Sequence, residues 1–357
     1  MNKEYDVVGI SSPGDALKDV AKNEGVRTLS VRMSRSISPF LDLKALIQLY
    51  RIIKSEKPII VHTHTPKAGT LGMIASKLAG VPYRLHTVAG MPLLEVTGVK
   101  RKVLNVVERL TYSCASHIYP NSRGLQEIII TNRLAPVSKL KVIGDGSSNG
   151  IDTSFFDPSH FSVEDNSKLR ASLDFADSDF VFVFVGRLVK DKGINELVEA
   201  FCLLNAIVKN TKLLLVGPLE QELDPLKPET LLRIQNTKNI LSVGLQADVR
   251  PFFAVADALV FPSYREGFPN VVLQAGAMGL PSIVTDINGC NEIIVERENG
   301  LIIPVKSSEA LYQSMLEIKS DDNLRRCMAK KSREMIMTRF EQVVLWRRIL
   351  EEYKNLK

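Results

Sequence analysis

Short apolar runs bounded by turn-forming residues alternate along this chain with segments whose apolar residues recur every three or four positions. In the first half the runs predict strands at Tyr5–Ile10, Val26–Val31, Ile59–His62, Arg84–Thr87, Ile118–Pro120 and Leu140–Ile143. After residue 150 they predict Phe180–Val185, Lys212–Val216, Ile240–Val243, Ala258–Phe261, Ser282–Val284 and Leu301–Pro304. Among the helical segments Leu41–Ser55 is the plainest, with Leu43, Leu46, Ile47, Tyr50 and Ile53 on one apolar face. Strand–helix alternation of this kind predicts parallel sheets covered by helices, hence an α/β fold. The pattern runs twice, and Gly144–Asp152, rich in Gly, Ser and Asn, is the expected hinge. Residues 1–150 and 151–338 are therefore read as two Rossmann-like, doubly wound domains facing across a cleft. Residues 339–357 form a final helix after a break near Phe340.

Length changes little in that picture, since 357 residues exceed one typical core. The four cysteines, Cys114, Cys202, Cys290 and Cys327, are scattered and read as buried thiols of a reducing compartment. No apolar run is long enough to span a membrane, and no signal peptide opens the sequence. Charge is more informative. Residues 1–150 hold 21 Lys/Arg against 11 Asp/Glu, while the remainder holds 25 against 29. A basic first half points to an anionic partner such as a membrane surface or a phosphorylated lipid, or else to a solvated Lys-rich face. Nucleic acid is disfavoured, because the basic residues are not interleaved with aromatics.

The chemistry is concentrated in two places. Glu266 to Gln274, EGFPNVVLQ, follows the apolar run Ala258–Phe261 and opens a helix near Asn270. An acid, a glycine and the free N–H groups of a helix start then meet at a strand's carboxyl end, where open α/β sheets bind ligands and where anions are favoured. Hydroxyls and phosphates on one ligand, as in a nucleotide-sugar, suit that layout. The second place is Val185 to Gly193, VGRLVKDKG, where Gly186, Arg187 and Lys192 stand at the end of another strand. Arg offers a bidentate fork to phosphate and Lys a mobile charge, as a departing nucleoside diphosphate requires. Asp177-Ser178-Asp179 precedes a strand and is read as turn capping. No G-x-G-x-x-G follows a first strand, which disfavours an NAD-dependent oxidoreductase.

GR-x-x-x-x-KG followed by EGFPN resembles the retaining GT-B glycosyltransferases of the family-4 type. The likeness extends through His62-Thr-His64-Thr-Pro-Lys67, Asn149-Gly-Ile-Asp152 and Pro262-Ser-Tyr-Arg-Glu266. It is nearest to bacterial enzymes that glycosylate polyprenyl-diphosphate-linked intermediates of capsule, O-antigen and glycoproteins. The resemblance implies that Arg187 and Lys192 hold the donor diphosphate and that Glu266 binds hydroxyls of the transferred sugar. The Gly267-Phe268-Pro269-Asn270 backbone lies beside it, Val243 and Gly244 face a uracil base, and Gln274 replaces the usual ribose-binding Glu. The resemblance implies no cofactor and no metal, and no protein nucleophile either, because the departing phosphate itself serves as base. The acceptor site is expected at His64 and Lys67, with His86 either a substitute for a missing His-Gly histidine or a core residue. His62, on the same face of the strand end, is either a second acceptor-site residue or a buried, hydrogen-bonded one.

The resemblance further implies a UDP-sugar donor, a lipid-linked saccharide acceptor, and a cytoplasmic enzyme peripheral on the inner face of the cell membrane. It places the last helix back on the first domain. Tyr5–Ile10 aligns with the second strand of that domain, and Met1–Glu4 cannot supply a preceding strand–loop–helix unit. The first sheet is therefore expected to lack a central strand. Two other readings share parts of this evidence, a nucleotide-sugar epimerase of the same fold and a degenerate, non-catalytic transferase homologue.

Overall fold

The computed structural model describes residues 1–34, 38–91, 97–222 and 224–356. The chain divides into two compact units, Met1–Ile143 with Arg347–Lys357, and Gly144–Trp346. This boundary differs from the division at 150 and 338 that the sequence predicts. The reason is a short bridge between Ile151 and Glu341. Ile151 N–H donates to the Phe340 carbonyl and Gln342 N–H to the Ile151 carbonyl, each at 2.9 Å. That pairing ties both the hinge and the start of the last helix to the second unit.

The first unit runs β1 (Val8–Ser11), α1 (Asp15–Glu24), β2 (Arg27–Ser30), α2 (Pro39–Glu56), β3 (Ile60–Thr63), α3 (Pro66–Ala79), β4 (Tyr83–Val88), α4 (Gly98–Cys114), β5 (His117–Pro120) and α5 (Arg123–Thr131). Its strands form two separate parallel sheets, β1–β2 and β3–β4–β5. The break in pairing between β1 and β3 falls where the sequence predicts a gap. Leu140–Ile143, expected as a sixth strand, makes only an isolated bridge from Leu140 to Ile118. A 3-10 turn at Val137–Lys139 leads directly into it, so the segment meets β5 at one residue.

In α2 the buried face is Ala45, Leu49 and Ile53, whereas Leu43 and Ile47 are exposed. Of the five residues predicted to face inward, Ile53 is buried and Leu46 and Tyr50 are partly covered against the same core, while Leu43 and Ile47 face out, because α2 carries more apolar residues than one face needs. Helix α3 packs between α2 and α4. It holds Gly69 and Gly72 against the sheet, where the His86 ring and the Thr63 methyl take up the space of any side chain.

The second unit continues with α6 (Val163–Ser172), β6 (Phe180–Val185), α7 (Ile194–Ile207), β7 (Thr211–Val216), α8 (Pro228–Asn236), β8 (Ile240–Ser242), α9 (Arg250–Ala254), β9 (Ala258–Phe261), α10 (Asn270–Ala277), β10 (Ser282–Thr285), α11 (Cys290–Ile293), β11 (Gly300–Ile303), α12 (Ser308–Ser320) and α13 (Asp322–Arg339). Helix α14 (Gln342–Lys354) starts here and ends in the first unit. The six strands are parallel in the order β11-β10-β9-β6-β7-β8. Strand order therefore reverses between β6 and β9, the switch point at which doubly wound sheets open a crevice for ligands.

Strand β6 reads FVFVFV, and all six side chains are buried. Each such side chain contributes roughly 1.5–3 kcal/mol relative to an exposed one. The thiols are less uniformly buried than predicted: Cys114 and Cys290 are inside, Cys202 is partly covered and Cys327 is exposed. Among the described residues no helix is long and apolar enough to cross a membrane.

No residue of β1 or β2 is fully buried, in contrast to every residue of β6 and β7. A two-stranded sheet with half-covered faces opens easily, whereas a central buried strand opens only with its whole unit. Amide hydrogen exchange followed by mass spectrometry should find β6 and β7 the slowest elements and β1–β2 at least tenfold faster. Equal protection in the two pairs would contradict this ranking.

Candidate functional site

The carboxyl ends of β6 and β9 deliver two loops to the switch point. From β6 the chain passes Gly186 and Arg187, dips into the core at Leu188 and Val189, and makes a 3-10 turn at Lys190–Lys192. Gly193 follows with φ 72°, and any side chain there would run into the Pro262 carbonyl. Only glycine allows both that backbone angle and that approach. The two loops are thus in direct backbone contact, which places Lys192 beside the loop that carries Glu266.

Lys192 Nζ forms a short ion pair with Glu266 Oε1, and both side chains are largely shielded. Ser263 Oγ donates to the same carboxylate oxygen at 2.9 Å. Ser263 is in turn fixed by its carbonyl, which accepts from Thr285 Oγ1 on β10. Asn288 Nδ2 donates to the carbonyls of Glu266 and Gly267, the latter at 3.2 Å. Tyr264 N–H donates to the Asp191 carbonyl at 2.8 Å, and the Arg265 guanidinium donates to Asp191 Oδ2 at 2.6 Å. Burial pushes the Asp191 carboxyl up, with Asp224 and Glu266 adding to the rise and Lys192 and Arg187 opposing it. Arg187 stands at the rim, half-exposed, its Nη1 donating to Glu220 Oε2 at 3.0 Å.

Around this centre stand the remaining residues expected to meet a donor. Pro269 precedes α10, and among the described residues no side chain caps that helix's first turn, which begins at the exposed Asn270. Phe268 is buried against Phe340, with ring centroids 5.4 Å apart, so it has its backbone alone to offer. Gln274 stands one turn into α10, half-buried. At the end of β8, Gly244 has φ 67° and gives its carbonyl to Gly217 N–H at 2.8 Å, while Val243's carbonyl accepts from Gln246 Nε2 at 2.7 Å. Asp179 of the D-x-D accepts from Ala176 N–H at 2.9 Å, the turn cap that its position predicts.

In the first unit the structure separates the acceptor candidates. His64 is exposed at the end of β3, its ring 4.2 Å from that of His62. Lys67, at the start of α3, is held by Asp42 of α2 at 2.8 and 3.0 Å. His86 is buried; its Nδ1 pairs with Thr63 Oγ1 at 2.8 Å and its ring faces Tyr112. It is thus a core residue, enclosed by Gly69 and out of reach of an acceptor. His62 pairs with Thr87 Oγ1 at 2.7 Å and, by a short bond, with the Tyr353 hydroxyl of α14. Sequence reasoning missed Ser263, Asn288, Glu220, Asp42 and Tyr353. Ser263 lies inside a motif already noted, but the other four are distant in sequence from the groups they serve.

Two family models match. Glycosyl transferases group 1 covers residues 165–335, and the glycosyl transferase 4-like domain covers residues 2–146. The chain is 35% identical to the capsular polysaccharide biosynthesis glycosyltransferase CapM of Staphylococcus aureus, over 99% of this chain and 90% of that one. It is 30% identical to the Escherichia coli UDP-Gal:alpha-D-GlcNAc-diphosphoundecaprenol alpha-1,3-galactosyltransferase, over 96% and 87% respectively. In fold it matches Anabaena HepE in complex with UDP and glucose, at a TM-score of 0.80, 20% identity and coverage of 99% and 93%.

Burial, aided by the nearby His64, lowers the His86 pKa to about 4 from its ordinary 6.5. As pH falls the unfolded chain takes up this proton first, so the stabilisation is complete above about 6.5 and is lost by about 4. The total is about 3 kcal/mol for a shift of that size. His62 is displaced in the same direction, again chiefly by burial. Urea unfolding followed across this window should show stability falling with acidity in the parent chain and a shallower fall in His86→Asn. Equal slopes would remove His86 as a source of acid sensitivity.

Proposed function

The chain belongs to the family-4 glycosyltransferases of GT-B fold, and from that premise we propose that it transfers a hexose or N-acetylhexosamine from a UDP-sugar to a polyprenyl-diphosphate-linked saccharide. The transfer proceeds with retention, at the inner face of the cell membrane, in the synthesis of capsule, O-antigen or a related glycoconjugate. The observation that carries this reading is the shielded Lys192–Glu266 pair at the β6/β9 switch point. It sets a cation for phosphate and a carboxylate for sugar hydroxyls side by side. The names of the relatives support the donor and acceptor classes. One is a UDP-Gal transferase acting on a diphosphoundecaprenol-linked sugar, and another is named for an N,N'-diacetylbacillosaminyl-diphospho-undecaprenol substrate.

In this reading Arg187 and Lys192 take the donor diphosphate, and their charge grows in value as the leaving group departs. Glu266 holds hydroxyls of the sugar, its orientation fixed by Ser263 on the side chain and Asn288 on the backbone. The uncapped first turn of α10 adds N–H donors for anionic oxygen. Val243 and Gly244 flank the base, and Gln274 binds the ribose through one amide acceptor. The departing phosphate accepts the acceptor's proton, so no protein nucleophile is needed. His64 is the exposed first-unit group available to an acceptor, and Lys67, screened by Asp42, assists as a cation. Donor and acceptor suffice, without a cofactor or a metal.

Replacing Arg187 or Lys192 by Ala should each lower turnover by roughly a hundredfold, the usual cost of removing one electrostatic contact to a transition state. The measurement is transfer from radiolabelled UDP-sugars to a synthetic polyprenyl-diphosphate sugar, and near-normal turnover in both variants would overturn the phosphate role.

Glu266→Ala should abolish transfer yet leave calorimetric UDP affinity within a few-fold of the parent, because its assigned partner is the sugar. A large loss of UDP affinity would reassign this carboxylate to the nucleotide.

A further inference from the structure

Between Arg187 and Glu266 stands an acid to which glycosyl transfer, as read above, gives no task. Three segments of the second unit converge on Asp191. Its N–H donates to Asp224 Oδ2 at 2.6 Å, in the segment between β7 and α8. Its carbonyl accepts from Tyr264 N–H at 2.8 Å, and its Oδ2 accepts from the Arg265 guanidinium at 2.6 Å, both in the loop leaving β9. Only 19% of the side chain's surface is exposed. The other carboxylate oxygen, Oδ1, is buried and has no hydrogen-bond partner among the described residues. One oxygen therefore braces the loops, while the second is a buried acceptor that the protein leaves unanswered.

The charge on this acid is set by its neighbours. Burial is the main force lifting its carboxyl above the ordinary carboxylate range, and Asp224 and Glu266 add to the rise. Lys192 and Arg187 hold it down, the latter itself paired with Glu220. Tyr264 adds no charge, because burial and its bond to Glu196 keep the phenol protonated. Lys190, next in the chain, is exposed. A nucleoside diphosphate on Arg187 and Lys192 would occupy both of the cations that oppose burial, and its own charge would add to that of Asp224 and Glu266. Each change favours the neutral acid. We propose that Asp191 is a positioning residue whose carboxylate balances Arg187 and Lys192 in the empty site and takes up a proton from the surrounding buffer, on Oδ1, when a diphosphate occupies them.

The inference rests on the proposed diphosphate role of Arg187 and Lys192. Oδ2 keeps Arg265 in either state, so the loop that carries Glu266 stays braced while one negative charge leaves the phosphate's surroundings. The pKa of Asp191 in the complex then lies above its value in the free chain, which already exceeds the ordinary 3.8. Between those two values binding draws in a proton and strengthens as pH falls. Above the higher one the acid is ionised in both states, and this contribution is gone. The proton returns to solvent when the nucleotide leaves, so mild acid favours donor entry and mild alkali favours nucleotide exit.

The test is calorimetric titration of the full chain with UDP in buffers of different ionisation enthalpy, which counts protons exchanged and is independent of turnover. At about pH 6 the parent should take up about 0.3 proton or more per UDP beyond the uptake of Asp191→Asn. The titrating phosphate of UDP itself contributes to both chains alike. From about pH 7.5 to about pH 5.5 the UDP affinity of the parent should gain about threefold to tenfold on that of Asp191→Asn. Asp224→Asn, which removes a carboxylate that raises the acid, should move the uptake to lower pH, and it supplies the comparison if Asp191→Asn does not fold. Glu298→Gln, at an exposed acid outside these loops, should match the parent. Far-UV circular dichroism identifies the folded variants. A loss of affinity in Asp191→Asn with proton exchange equal to the parent's would make Asp191 a structural brace alone and overturn the proposal, with the diphosphate reading intact. Uptake that Asp224→Asn leaves unshifted would also overturn it. Absence of UDP binding, or affinity that the double variant Arg187→Ala, Lys192→Ala retains in full, would overturn the diphosphate reading and the proposal together.

Discussion

Both faces of β6 are covered, and Phe180–Val185 accordingly holds no polar side chain. The two shielded charges at the switch point, Lys192 and Glu266, therefore come from the loops leaving β6 and β9. Those loops are long enough to turn back but not to wander, because each is tied to the other. Gly193 lies against the Pro262 carbonyl, Tyr264 N–H bonds to Asp191, and Arg265 pairs with the same residue. Lys192 and Glu266 meet as a result of this mutual bracing. Their pairing shields two charges that neither loop could bury alone, and Ser263 and Asn288 take up the carboxylate and carbonyl groups left over.

The first unit solves a different problem. Its sheets are short and split, and its interior holds a titratable imidazole, His86, beside the buried Thr87. His62, His86, Thr63 and Thr87 satisfy one another between β3 and β4, with Tyr353 of α14 closing the set. Arg84, at the start of the central strand β4, donates to the Cys114 carbonyl at 2.6 Å. Because it contains imidazoles, this interior responds to protons in a way that the FVFVFV core cannot.

Legibility in the sequence followed the same division. The second unit's strands were visible because complete burial demands uninterrupted apolar runs, and the site was visible because glycines and charges fall directly after those runs. Leu140–Ile143 has the composition of a strand, yet only Leu140 finds a partner, which no local pattern encodes. In α2 the apolar residues exceed the buried stripe, so periodicity selected Ile53 but not Ala45 and Leu49. The pairing of Lys67 with Asp42 and that of Arg187 with Glu220 join residues 25 and 33 positions apart. Both depend on how helices and loops pack, and the sequence shows each partner merely as a surface charge.

The Arg187–Glu220 pair has a bearing on what the second unit will accept. Glu220 acts as a self-supplied counter-ion, so an incoming anion enters an exchange and does not fill a bare positive hole. Both side chains are roughly half-exposed, with 48% and 37% of their surface accessible. A pair of that kind is held by about 0–1 kcal/mol, which amounts to no more than about fivefold in affinity. Against a singly charged anion, which gains little from one guanidinium in water, a competitor of that strength is a sizeable fraction of the binding free energy. Under the proposed reading a diphosphate would meet Lys192 as well and lose little to so weak a pair. In that reading, Glu220 weights the response of Arg187 away from small inorganic anions and toward a ligand with two phosphates.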